Sequence, residues 1–221
     1  MKVVIINFPG TNCERDTAYA FELLGAKCEI IWHTNSFANA DLVVLPGGFS
    51  YGDYLRTGAI AKLSPAMKSL FLHVKKGGYV LGICNGFQIL CEAGLLPGAL
   101  HRNSGLDFIS KMHFLKVASN DNKFLQNCEI SEVLNIPIAH GEGNYYIDEN
   151  GLDKLKQNNQ ILLTYCDKDG NNLNPNGSIE AIAGICDTNK RVFGLMPHPE
   201  RACQKVLGSD DGVKMLKGFL C

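Results

Sequence analysis

Cys84 stands in Gly82-Ile83-Cys84-Asn85-Gly86, directly after the apolar run Tyr79–Ile83 and directly before a helical pattern through Phe87, Ile89, Leu90 and Ala93. A strand that runs through G-x-C-x-G into a helix is a nucleophile elbow with Cys in place of Ser. Gly82 and Gly86 leave room for a tight turn that holds Cys84 strained and exposed. At a helix N-terminus the thiol gains from a partial positive charge that favours the thiolate. The backbone N–H of Asn85 can meet an oxyanion. The same five residues also read as a buried cysteine between two packing glycines, because cysteine is common in interiors. Two further patterns weigh on that choice. Met196-Pro197-His198-Pro199-Glu200 follows an apolar run, with prolines on both sides of the imidazole. His198 can act as base for a thiol and Glu200 can orient it. Pro46-Gly47-Gly48-Phe49 follows another run of the same kind, and Gly48 can turn a second N–H toward an oxyanion.

The elements that must position these groups are short and alternate in type. Lys2–Asn7 reads as a buried first strand, and 14–24 as a helix capped by Thr11 or Asn12 and stopped by Gly25. Strands follow at Lys27–Trp32 and 41–45, then a helix over 60–75 that Gly77-Gly78 ends. With the strand Tyr79–Ile83 and its helix, this is the pattern of an open, mostly parallel, doubly wound α/β sheet. Beyond Pro97 the periodicity changes. The segments 108–117, 136–139, Ile161–Cys166 and 179–185 read as strands with few helices between them, so an antiparallel extension is expected. A last strand over 192–196 and a helix over 212–220 close the chain, and 167–178 is a polar loop. No repeat or linker divides the sequence, so residues 1–221 are expected to form one domain. All three chemical patterns then lie at carboxyl ends of parallel strands, where open α/β sheets place their sites.

The 221 residues carry 21 Lys+Arg against 22 Asp+Glu, a net charge of −1 that gives no case for nucleic acid or an anionic membrane surface as a partner. Apolar runs are strand-sized, which excludes a membrane span, and the first residues lack the charge and composition of a targeting peptide. Nine cysteines include no C-x-x-C and no zinc-type spacing. A cytoplasmic, reducing setting follows, with most thiols acting as small buried hydrophobes.

P-G-G, G-x-C-x-G and H-P-E in this order resemble the class I glutamine amidotransferases. Longer stretches sharpen the likeness to the stand-alone glutaminase subunits of the purine-biosynthetic branch: LPGGFSYGDYLRT at 45–57, GICNGFQILC at 82–91, IAHGEGNYYI at 138–147 and FGLMPHPERA at 193–202. The likeness departs at Asn144, where that pattern has a basic residue. It implies a flavodoxin-like core, a Cys84–His198–Glu200 triad, and an oxyanion hole from Gly48 and Asn85. Gln88, on the elbow helix, becomes a glutamine contact; its plainer reading is a partly exposed helix polar. The resemblance further implies that this chain binds no cofactor or metal. ATP and Mg would be used by a large synthetase subunit, joined by a small bridging subunit. The absence here of G-x-x-x-x-G-K-[ST] and of G-x-G-x-x-G agrees with that division.

The segments 50–56 and 140–146 are polar and aromatic and are expected to follow strands near the glutamine site. Tyr51, Arg56, His140 and Tyr145 are their candidates for a partner interface. Three other readings compete with this one. A glutaminase for another ammonia acceptor, such as those of pyridoxal phosphate, anthranilate or imidazole-glycerol phosphate synthesis, shares the triad but not the SYGDYLR and AHGEGNYY stretches. A cysteine hydrolase or peptidase on the same elbow differs in which small molecules it deamidates. A binding module with a relic site is opposed by the intact Cys84, His198 and Glu200.

Overall fold

Val3, Val4, Ile5 and Ile6 expose none of their surface, because strand β1 (Lys2–Asn7) is covered on both faces. In the computed structural model, which describes residues 1–220, β1 pairs in parallel with β2 (Lys27–Trp32) and β3 (Leu42–Leu45). β4 (Tyr79–Ile83) lies beside β3, and the last strand, β11 (Val192–Leu195), lies beside β4, again parallel. The order β2-β1-β3-β4-β11 is the flavodoxin-like arrangement. Register matters here: Leu45 pairs with Gly82 and Leu195 with Ile83, so the three functional turns leave the sheet at one edge.

Beyond β11 the sheet continues antiparallel through β10 (Ile182–Cys186), β9 (Ile161–Cys166), β6 (Ile109–Val117) and β7 (Val133–His140), making nine strands. The expected extension is therefore present. Its outer strand runs from 133 to 140 rather than 136–139, and it contains Pro137. Proline cannot donate to a ladder, and β7 is an edge strand, where that is tolerated. β5 (Ala99–His101) and β8 (Asn144–Tyr146) add a two-stranded ribbon that the sequence reading did not anticipate.

The helices need four corrections. α1 (Glu14–Leu23) is entered through Cys13 with no side-chain cap; Thr11 instead accepts from the Phe8 N–H and Asn12 accepts from the Cys13 thiol. The single helix expected over 60–75 is a 3₁₀ turn, Ala61–Leu63, and then α2 (Pro65–Lys75). Ser64 between them is extended, as the residue before a proline must be to avoid its ring. After α3 (Asn85–Glu92), α4 (Glu149–Gln157) fills a stretch to which the sequence assigned no element, with the Asp148 side chain accepting from the Gly151 N–H at 2.7 Å. The strand expected at 179–185 begins as a 3₁₀ turn, Ile179–Ala181, and the closing helix is α5 (Asp211–Lys217) with a final 3₁₀ turn. No described helix is long and apolar enough to cross a membrane. Cys221, counted above among the structural thiols, lies outside the described residues.

Candidate active site

Cys84 takes φ +51° and ψ −106° between β4 and α3, a conformation that costs a non-glycine residue energy and is held by its surroundings. Its N–H donates to Leu195 O at 2.7 Å, tying the elbow to β11. Two glycines permit the turn. A Cβ on Gly86 would collide with the Leu45 carbonyl, and one on Gly82 would lie 2.5 Å from Leu90 Cδ1 and 2.7 Å from the Gly86 backbone. The thiol is not exposed as expected: Cys84 is 6% accessible, at the wall of a cavity, with Sγ 3.6 Å from Ala139 O. The first N–H groups of a helix have no intrahelical acceptor, and that of Asn85 is one of them. Gly48, at φ +146°, lines the same cavity after β3.

Across β11, His198 Nδ1 donates to Glu200 Oε1 at 2.7 Å, with both side chains buried. The His198 N–H donates to Pro137 O, so β7 fixes the turn. Burial works against an imidazolium, but the Glu200 carboxylate and then the neighbouring Cys84 and Cys13 thiols favour it, and His198 stays protonated well above the usual histidine range. His198 Nε2 is buried and makes no hydrogen bond to another group, so the proton it shares with Cys84 favours a thiolate–imidazolium pair.

The cavity beside Cys84 holds about 270 Å³ and is walled by Gln88, Asp53, Glu142 and Arg102. Gln88, 5% exposed, is no surface polar: it accepts from Asn85 Nδ2 at 3.0 Å and donates to Glu142 O at 2.7 Å. Burial, and then the Glu142 carboxylate, push the Asp53 carboxyl up to about 6. Arg102 lies 3.7 Å from the Glu142 carboxylate.

Of the interface candidates, three point inward. The Tyr145 ring is 1% exposed, stacks on Phe87 and donates to Pro97 O; His140 is 2% exposed and bonds Asn103 Oδ1. The Tyr51 hydroxyl is engaged by His33 and Ser64. Tyr145 on β8 and His140 at the end of β7 are packed inside the fold, whereas Tyr51 lies half-buried on the 3₁₀ turn Ser50–Asp53. Arg56 alone is exposed, bound to Glu92.

Cys13, Asp53, Glu142 and Arg102 were not identified as site residues. Asp53 and Glu142 lie inside the segments 50–56 and 140–146 that the sequence offers as a partner interface, and Cys13 has only its place before a helix. Burial first, then nearby carboxylates, push Cys28, Cys128 and Cys166 up to about 11 and Cys186 and Cys203 to about 12, so these thiols are poor nucleophiles.

Comparison with known proteins gives three results. The model of the CobB/CobQ-like glutamine amidotransferase domain matches residues 1–212. The phosphoribosylformylglycinamidine synthase subunit PurQ of Campylobacter jejuni is 65% identical over 220 residues, covering 100% of this chain and 96% of that protein, and the PurQ subunit of Nostoc sp. is 51% identical over 222 residues, covering 100% and 97%. A chain in the structure of PurLQS from Thermotoga maritima superposes with a TM-score of 0.89 at 40% identity, covering 99% of this chain and 97% of that one.

Proposed function

The chain belongs to the CobB/CobQ-like glutamine amidotransferase family, and from that premise we propose that it is the glutaminase subunit of a phosphoribosylformylglycinamidine synthase. It hydrolyses glutamine and passes ammonia to a synthetase that converts formylglycinamide ribonucleotide to formylglycinamidine ribonucleotide in purine synthesis. The observation that carries the reading is Cys84 held on a strained elbow at a cavity wall, beside the buried His198–Glu200 pair.

His198 Nε2 takes the Cys84 proton, and the thiolate attacks the side-chain amide carbon of glutamine. The N–H groups of Gly48 and Asn85 hold the tetrahedral oxyanion. On collapse, the proton on His198 goes to the leaving nitrogen and ammonia departs, leaving a thioester on Cys84. His198 then takes a proton from water, hydroxide adds to the thioester, and glutamate leaves as the thiol is restored. Glu200 stabilises the imidazolium at each stage. Among the residues that line the cavity with Cys84, Asp53 and Glu142 suit the α-ammonium of a free amino acid and Arg102 its α-carboxylate, with Gln88 on the same wall.

The partners are a large synthetase subunit and a small bridging subunit, the composition of the PurLQS assembly that this chain resembles. ATP and Mg serve the synthetase subunit; this chain supplies ammonia without a cofactor, in the cytoplasm. The continuous nine-stranded sheet supports a single amidotransferase domain. Arg56 and the exposed apolar rim at the cavity mouth provide the docking face. The test is Cys84→Ala in the reconstituted complex. Glutamine-dependent synthesis should vanish while synthesis from added ammonium salt persists. Loss of both in an assembled complex would refute the division of labour.

A further inference from the structure

Cys13 takes no part in the reaction described above, yet its Sγ, the His198 imidazole and the Glu200 carboxylate each offer a ligand atom within 4.8 Å of the others, and all three residues are buried. They converge from opposite ends of the chain: Cys13 from the start of α1, His198 and Glu200 from the turn after β11. Gly47 lets them meet, since a Cβ there would sit 2.7 Å from His198 Cε1 and 3.0 Å from Cys13 Sγ. Glu200 Oε2 is buried with no hydrogen-bond partner, and catalysis through Oε1 leaves it without a task. Such an orphaned oxygen calls for something to meet it.

One thiolate, one imidazole and one carboxylate make a zinc donor set. With bonds of about 2.0–2.3 Å in a tetrahedron, the ligand atoms of a formed site stand roughly 3.3–3.8 Å apart, so a contraction of about 1 Å closes this one. Cys84 lines the same cavity of about 210 Å³ as Cys13 and His198, which gives an ion a way in and a fourth ligand. One group opposes a cation: Arg201 Nη2 donates to Cys13 Sγ at 3.1 Å. Its charge is shared with Asp16, which Nε reaches at 3.1 Å. With Cys13 ionised and Glu200 anionic, the donor set stays net negative. Magnesium, which prefers oxygen ligands in an octahedron, does not suit it.

We propose that Cys13, His198 and Glu200 form an inhibitory site for Zn²⁺. On binding, the Cys13 thiol and the His198 imidazolium each release one proton to solvent, and the ion takes one ring nitrogen of the now neutral His198. If it takes Nε2, the base is blocked directly; if it takes Nδ1, the ring proton remains on Nε2 with the same result. The loss of activity rests on the triad reading above, whereas metal binding does not, so the two are read separately.

The activity experiment measures glutamate release by the assembled complex across buffered Zn²⁺ concentrations, each variant normalised to its own metal-free rate. Ammonium-driven synthesis is followed in parallel as a check on the synthetase. Cys13→Ala and Cys13→Ser should raise the half-inhibiting Zn²⁺ concentration at least tenfold, with ammonium-driven synthesis unmoved at the concentrations that stop the parent. The binding experiment uses Co²⁺ as a probe with Cys84→Ala, which needs no activity. A near-ultraviolet thiolate-to-cobalt band should appear and should be lost in the Cys84→Ala/Cys13→Ala double variant. Equal Zn²⁺ sensitivity in all three forms, or a cobalt band indifferent to Cys13, would overturn the proposal.

Discussion

Asp53 stores a conflict that the function explains. Its carboxyl is pushed up to about 6, first by burial and then by Glu142, and its Oδ1 is buried with no partner. An α-ammonium placed between the two carboxylates relieves both effects. Above about pH 6 the ionised Asp53 holds the substrate; below it the proton replaces that attraction, so KM for glutamine should rise on acidification from pH 7.5 to 5. Asp53→Asn should raise KM at pH 7.5 about tenfold, equivalent to ~1.4 kcal/mol, and should flatten that rise. The stability sign is opposite. A carboxyl whose folded pKa lies above its unfolded value binds its proton more tightly when folded, so stability falls as pH climbs from about 4 through 6. Asp53→Asn should therefore raise Tm at pH 7.5, with the gain disappearing below about pH 4. A variant with unchanged KM would remove Asp53 from the substrate site. Cys84, His198 and Glu200 were legible beforehand because each sits in a pattern of five residues. The roles proposed for Asp53, Arg102 and Cys13 rest on convergence across the sheet edge, which no local spacing records.

At the level of elements, the elbow works because α3 lies hard against the carboxyl end of β3. Gly86 is the point of contact, and a methyl there would strike the Leu45 carbonyl oxygen. Gly86→Ala should lower unfolding free energy by about 1–3 kcal/mol, the usual cost of overpacking, as read by urea denaturation. It should also lower kcat more than it changes KM, because the displaced helix carries the Asn85 N–H away from the oxyanion. A variant of parental stability and kcat would show that the contact has slack. The strands of the parallel half were legible because burial on both faces makes them continuous apolar runs such as Leu42–Leu45. The later elements were less so. Pro137 masked the length of β7, since proline argues against a strand unless the strand is known to be an edge. α4 was hidden by Gly151 and by a face of only two buried residues, Leu152 and Leu155.

For the whole molecule, the question is where ammonia leaves. Free ammonia becomes ammonium in bulk water, so the synthetase must cover the mouth of the glutamine cavity. The surface there is unusual: Leu106 and Phe108 on its wall are 77% and 54% exposed, and on the adjoining loop Tyr54 and Leu55 are 75% and 90% exposed. Large apolar side chains gathered around an opening mark an interaction face. Tyr145 and His140, expected from the sequence at a partner interface, are buried, so the interface proposed here is the apolar side chains beside Arg56. Leu55→Asp and Leu106→Asp should each weaken binding to the synthetase and bridging subunits at least tenfold, and should raise the ratio of glutamate formed to product made. Both side chains stand in solvent, so the Tm of the isolated chain should stay within about 1 °C. Val206→Asp is the matched control: an 87% exposed apolar residue on the 3₁₀ turn Lys205–Leu207, away from this cavity, it should change neither quantity. If all three variants bind alike, the docking face lies elsewhere on the chain, and the ammonia must leave by a route other than this mouth.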